Sequence, residues 1–215
     1  TGPAVALGIG LVAARDPEAT MMVLPADQLI RDTASYHAVM TDALAAATAG
    51  AGLVTVGIKP SWACPSYGYV ERGEPASLGE LSLSHQPHEV IRFREKPAPE
   101  QAEEFLASGN FAWNAGMFIW SIPTVLSELR THTPELAHFV EEIRDTGEVA
   151  DTVAARFPAL TPISIDYALM EKASRVLNIE ATFDWDDVGS WTSVANYLDP
   201  VSRSEEHTSE LQSPV

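Results

Sequence analysis

Met21-Met-Val-Leu-Pro-Ala-Asp27 and Leu53-Val-Thr-Val-Gly-Ile58 flank a stretch that opens at Asp32 and closes at Gly50. The first run is apolar over residues 21–24 and is stopped by Pro25, which reads as a short buried strand. Asp32 or Thr33 can cap a helix reaching to about Ala49, and Gly50 ends it. The second run is rich in β-branched residues and reads as the next strand. Strand, helix and strand in this order predict an α/β layer with parallel pairing. In such sheets ligands bind beyond the carboxyl ends of strands, where Asp27 lies. Asp27 is equally suited there to hold a cation or to cap the helix that follows.

Working outward, residues 3–14 are small and apolar with Pro3 near the start, the pattern of a buried helix. Residues 67–71 and 90–94 are β-rich and separated by a polar stretch. Residues 99–107 form a short helix closed by Gly109, and residues 110–120 an aromatic-rich strand. Residues 123–143 read as one or two amphipathic helices, with Pro134 marking a break or a new first turn. Ser164 can cap a helix carrying Asp166 and Glu171, which at five residues apart do not share a face of an α-helix. Residues 176–183 return as strand, and Ser190 can cap a last helix to about Leu198. Residues 203–215 lack any apolar period. They read as translated sequencing-adapter DNA, expected to be disordered and set aside from the fold.

The chain has 215 residues, enough for one sizeable core or two small ones, and its 46% hydrophobic content is that of a globular protein. A formal charge of −17 repels phosphate backbones, so nucleic-acid binding is not expected. A small phosphorylated substrate would need local cations or a metal to offset that field. No apolar run is long enough to cross a bilayer, and no signal peptide is visible. The single Cys64 excludes an internal disulfide and a cysteine zinc cluster, which fits a reducing cytoplasm.

Several residue types suit phosphate chemistry. Asp187 lies in Phe183-Asp-Trp-Asp-Asp-Val-Gly-Ser-Trp191, where Trp185 and Trp191 favour a specified, buried location. A hard cation such as Mg²⁺ needs only one or two carboxylates plus phosphate oxygens, and Asp27 and Asp187 can supply them through folding. Lys96 ends a strand and is fixed by Pro97, a point charge suited to a phosphate or simply a surface turn beside Glu95. Asn114 precedes Gly116, which permits close approach of a ligand or of backbone. Gly68, between Tyr67 and Tyr69, admits a ligand or marks a bulge. Asp166, near a helix start, can face a ligand or favour the helix dipole.

Taken together, these stretches resemble the mannose-1-phosphate guanylyltransferases (GDP-mannose pyrophosphorylases) of the sugar nucleotidyltransferase family. The resemblance runs from Thr1 to about Pro200. It is carried by Thr1-Gly-Pro-Ala4, Val23-Leu-Pro-Ala-Asp27, Leu53-Val-Thr-Val-Gly57, Tyr67-Gly-Tyr69, Glu95-Lys-Pro97, Trp113-Asn-Ala-Gly-Met-Phe118, Ser164-Ile-Asp-Tyr167 with Met170-Glu-Lys172, and Trp185-Asp-Asp-Val-Gly-Ser-Trp191. It implies a Rossmann-like (GT-A-like) α/β fold, a mixed sheet flanked by helices, over residues 1–202. It also implies the reaction of GTP with mannose 1-phosphate to give GDP-mannose and pyrophosphate. By the same resemblance Asp27 and Asp187 hold Mg²⁺ or a similar divalent cation, and Lys96 meets the sugar phosphate. Glu95, Asn114 and Asp166 bond sugar hydroxyls, Gly68 lets the backbone approach the sugar, and Thr1 lies near the base.

This sequence departs from the family pattern at Gln28, where a His is usual, and at Ala115, Gly2 and Ser66, where Ser, Ala and Gly are usual. The first change bears on substrate positioning rather than on the metal site. The family's first strand and opening Gly-rich loop with its Arg and Lys are not found, so the chain reads as a fragment expected to be inactive by itself. The parent could form homo-oligomers or continue into a mannose-6-phosphate isomerase domain. Two other functions fit the same residues: a nucleotidyltransferase for another sugar phosphate or base, or a catalytically silent nucleotide-sugar-binding module.

Overall fold

In the computed structural model, which describes residues 1–189 and Tyr197, six strands form one mixed sheet with helices on both faces. Helix α1 spans Gly2–Arg15, with Pro3 in its first turn. Strand β1 is Thr20–Val23, and α2 is Thr33–Thr48. The N-cap of α2 is Asp32, whose carboxylate accepts the Ser35 N–H at 3.0 Å. Strands β2 (Leu53–Ile58), β3 (Tyr69–Pro75) and β4 (His88–Arg94) follow. Helix α3, Pro99–Ser108, begins on a proline and ends at Gly109, which takes the left-handed conformation at φ 75°. Strand β5, Phe111–Ser121, runs into α4, Ile122–His132. Thr133 closes α4 and Pro134 opens α5, Pro134–Thr146, so the apolar stretch is two helices. Helix α6, Val149–Arg156, precedes a single π-type turn at Asp166–Met170 and the last strand, β6, at Val176–Glu180. The cap expected at Ser190, its helix and the tail 203–215 lie outside the described residues.

The parallel pairing expected between the first two strands is not what forms. Strand β5 inserts between β1 and β2 and runs antiparallel to both. The parallel ladder is instead β2 with β6, from Leu53 against Val176 to Gly57 against Glu180. The physical reason is length and alternation. Strand β5 has eleven residues, enough for its end to pair with β1, its middle with β2 and its start with β3. Its side chains alternate between two cores. Phe118 and Trp120 pack with α1, α4 and α5, including Ile9, Leu129 and Phe139. Met117 and Ile119 pack with α2 and with Leu177 and Ile179 of β6. A third cluster joins α3 to Tyr69, Phe111 and Trp113, and buries Cys64.

Within β5 the register against β2 shifts between the Thr55–Phe118 and Gly57–Asn114 pairs. The extra residues of β5 are accommodated at Gly116, whose φ is 70°, a conformation that favours glycine. This bulge re-aims Asn114 relative to the rest of the strand. No described helix is long and apolar enough to cross a membrane.

Trp120 is fully buried where β5 meets α1, α4 and α5. Trp120→Ala is expected to lower unfolding stability by about 3–5 kcal/mol, as a large buried aromatic does when its cavity cannot collapse. Urea unfolding of the full-length protein and the variant measures this. A loss below about 1 kcal/mol would contradict the central place given to β5.

Candidate active site

Two loops meet beyond the carboxyl ends of β1 and β6. Leu29 and Asp186 exchange backbone hydrogen bonds, Leu29 N–H to the Asp186 carbonyl at 2.9 Å and Asp186 N–H to the Leu29 carbonyl at 3.1 Å. The Asp184 carboxylate accepts the Asp32 N–H at 2.7 Å and the Arg31 N–H at 3.0 Å. This lacing brings Asp27 near Asp187. Burial raises the Asp187 pKa, and the neighbouring Asp27 and Asp186 charges raise it further, against smaller opposing effects from Gln28 and Lys96. Val188, next in the chain, sits at φ 48°, and its N–H is held by the Asp186 carboxylate at 2.8 Å. A positive φ is costly for a β-branched residue and persists where the surroundings over-determine it.

A second carboxylate group lies around the end of β4. Glu95 follows β4, and burial together with the Asp166 charge pushes its pKa up to about 7, Glu171 adding to the effect and Lys96 opposing it. The Glu95 N–H donates to the Glu171 carboxylate at 3.0 Å. Gly68 fits here because a Cβ at that position would come within 2.6 Å of a Glu95 carboxylate oxygen. The Gly68 carbonyl accepts the Asn114 N–H at 2.8 Å. Asn114 donates from Nδ2 to Asp166 at 3.3 Å. Burial raises the Asp166 pKa as well. Lys96 sits at φ 47°, the second non-glycine residue in the left-handed region, with its Nζ 3.8 Å from Glu95 and most of its side chain exposed. Its charge reaches Glu95, Asp166 and Asp187, and so spans both carboxylate groups.

Behind the site, Tyr67 packs edge-on against Trp113 and Trp185, with ring centroids 5.2 and 5.5 Å away. Burial first, and then the Asp187 charge, push the Tyr67 phenol up to about 12, so it stays neutral near pH 7. Thr1 lies on the far side. Its hydroxyl accepts the Ile165 N–H at 3.1 Å, and it lines, with Met21, Val23, Phe118 and Asp166, a mainly apolar groove of about 530 Å³.

Residues 1–202 match the family model described as nucleotidyl transferase. The chain belongs to that family. A mannose-1-phosphate guanylyltransferase of Sinorhizobium fredii (strain NBRC 101917 / NGR234) is 38% identical over 203 residues, 90% of this chain and 37% of that protein. One of Escherichia coli (strain K12) is 36% identical over 202 residues, 90% of this chain and 41% of the relative. A solved structure described as mannose-1-phosphate geranyltransferase from Thermus thermophilus aligns with a TM-score of 0.78 at 31% identity, covering 93% of this chain and 56% of that one. The chain thus spans well under two thirds of the length of each.

The donor set of the site suits a divalent cation. Burial first, and then the neighbouring Asp27 charge, raise the Asp187 pKa, and a cation held by the two carboxylates would offset both. Among the described residues no group of three or more His, Cys, Asp or Glu is arranged to hold a metal; Mg²⁺ needs only one or two protein carboxylates beside phosphate oxygens. Asp166 and Glu171 are not separated as an α-helix would separate them. The π-type turn closes with the Glu171 N–H on the Asp166 carbonyl at 3.0 Å, and both carboxylates act on Glu95. Sequence reasoning gave Glu171 no role because it assumed an α-helical spacing. It linked Gln28 to substrate positioning and not to the metal site, whereas Gln28 also bonds Asp187, and its Nε2 donates to the Ala115 carbonyl at 2.7 Å, tying the Asp27 loop to the β5 bulge.

The raised Glu95 pKa gives a pH dependence with a fixed sign. Between the ordinary carboxylate value near 4.5 and about 7, the folded protein holds a proton that the unfolded chain releases. Stability therefore falls as pH rises through that window. Glu95→Gln is expected to reduce this decline, so the variant gains thermal stability over the parent protein at pH 8 relative to pH 5. Asp166 and Asp187 leave a residual slope of the same sign. Melting temperatures at both pH values test this, and an equal offset at the two would contradict it.

Proposed function

We propose that the full-length protein carrying this domain transfers GMP from GTP to mannose 1-phosphate, giving GDP-mannose and pyrophosphate. The observation that supports this most directly is Asp27 beside Asp187, with the Lys96 charge reaching both that pair and the Glu95–Asp166 group. The relatives bearing the name of this activity support the choice of sugar phosphate and base. In the reaction a sugar-phosphate oxygen forms a bond to the α-phosphorus of GTP while the bond to the β-phosphate oxygen breaks, and pyrophosphate leaves.

Asp27 and Asp187 would hold Mg²⁺ or a similar ion. That ion supplies positive charge to phosphate oxygens in a site otherwise rich in carboxylates. Lys96 meets the phosphate of the sugar as a point charge. Glu95, Asn114 and Asp166 bond the sugar hydroxyls, and Gly68 leaves room for them by lacking a side chain. Glu95, held near neutral protonation, can donate as well as accept. The aromatic wall of Tyr67, Trp113 and Trp185 backs the site. Fixing both substrates in line supplies roughly 7–11 kcal/mol in well-oriented systems, so the residues that position matter as much as the metal. A reducing cytoplasm suits the buried, unpaired Cys64.

Asp27→Asn and Asp187→Asn are each expected to weaken Mn²⁺ or Mg²⁺ binding and lower pyrophosphate release by roughly 100-fold or more. Calorimetric metal titration and a pyrophosphate-release assay measure the two effects, and near-parent values for both variants would sink the metal assignment. Lys96→Ala is expected to raise the KM for mannose 1-phosphate roughly ten- to a hundredfold and leave GTP affinity largely intact. A collapse of GTP affinity with an unchanged sugar-phosphate KM would reverse the role given to Lys96.

A further inference from the structure

The Asn114 amide is held by more than its own strand. Thr55, on β2, is completely buried, and its hydroxyl lies 2.9 Å from Asn114 Oδ1. The Gly116 N–H, in the β5 bulge, lies 3.1 Å from the same oxygen. On the other side Asn114 Nδ2 lies 3.3 Å from an Asp166 carboxylate oxygen. These three partners leave one orientation of the amide. The Gly116 N–H can only donate, so the atom facing it is the oxygen. Asp166 as a carboxylate only accepts, so the atom facing it is the NH₂. The Thr55 hydroxyl, which can do either, then donates and occupies the second acceptor position of Oδ1. A buried hydroxyl deprived of this partner would be unpaired in a dry site.

We infer that Thr55 is a positioning residue for substrate recognition: its hydroxyl locks the Asn114 amide with the NH₂ facing outward beside the Asp166 carboxylate, so that a donor and an acceptor stand side by side for sugar hydroxyls. This rests on the proposed reading of Asn114 and Asp166 as sugar contacts. A hydroxyl group both donates and accepts, so an adjacent NH₂ and carboxylate match a pair of neighbouring hydroxyls. One Nδ2 hydrogen is engaged by Asp166, and among the described residues no acceptor takes the other, which is left for the ligand. Thr55 touches no substrate. It acts through Asn114, and its β-branched side chain, restricted at χ1 and enclosed between β5 and β6, has little freedom to release the amide.

The test compares Thr55→Val, Thr55→Ser and Asn114→Ala in the full-length protein, with mannose 1-phosphate and GTP as the probes. Valine keeps the shape and removes the donor. It is expected to raise the KM for mannose 1-phosphate about tenfold, with kcat and GTP affinity changed by less than about twofold. Serine keeps the hydroxyl and is expected to restore the sugar-phosphate KM to within about twofold of the parent. Loss of thermal stability in Thr55→Val with an unchanged sugar-phosphate KM, while Asn114→Ala raises it, would overturn the inference and leave the sugar-contact reading standing. An unchanged KM in Asn114→Ala would overturn that reading itself. Should the valine variant not fold, Thr55→Cys, of similar volume and with only a weak donor, must show the same rise, and a parent-like KM there counts against the inference.

Discussion

Strand β5 exchanges backbone hydrogen bonds with β1, β2 and β3, and the rest of the molecule is arranged around that requirement. A buried strand must satisfy every amide and carbonyl it carries. The eleven residues of β5 find partners in three strands, and their alternating side chains feed the cores on both faces of the sheet. The same strand carries the bulge at Gly116, so the element that organises the core also aims Asn114 at the site. Core and site are joined by one backbone, and a disturbance of the β5 register would reach both.

The local elements were legible because short-range chemistry decides them. The strand Leu53–Ile58 follows from its β-branched run, α2 from its Asp32 cap, and the split between α4 and α5 from Pro134. Partner choice was not legible. Nothing local to residues 21–24 or 53–58 says that an antiparallel strand will separate them, because that choice is made by the length and two-faced apolarity of a strand far along the chain. Helix α6 was also missed: of its eight residues only Thr152 is buried, so it carries little apolar period to read.

For the site, the residue types could be named from their positions at strand ends, but not their mutual support. Asp184 illustrates this. In the sequence it is one member of an acidic turn, yet its carboxylate takes two backbone N–H groups of the facing loop. Thr55 likewise reads as an ordinary strand residue until Asn114 is seen beside it. Lys96 and Val188 are a further case. Their left-handed backbone is costly for the residue types they are, and it flanks the two groups of carboxylates. Sequence patterns report what a residue prefers, and these two positions are held against preference by their surroundings.

The π-type turn at Asp166–Met170 carries an implication for how this site tolerates change in chain length. Such a turn amounts to a single extra residue accommodated within helical winding. Removing one residue between Asp166 and Glu171 would let the segment rewind as ordinary α-helix, in which each residue turns by about 100°. Glu171, five residues after Asp166 now and four then, would keep roughly its place on the winding, while the buried side chains between them, Ala168, Leu169 and Met170 among them, would turn relative to the core they fill. A one-codon deletion here would therefore fall first on the packing beneath the site, and on the carboxylates above it through that packing.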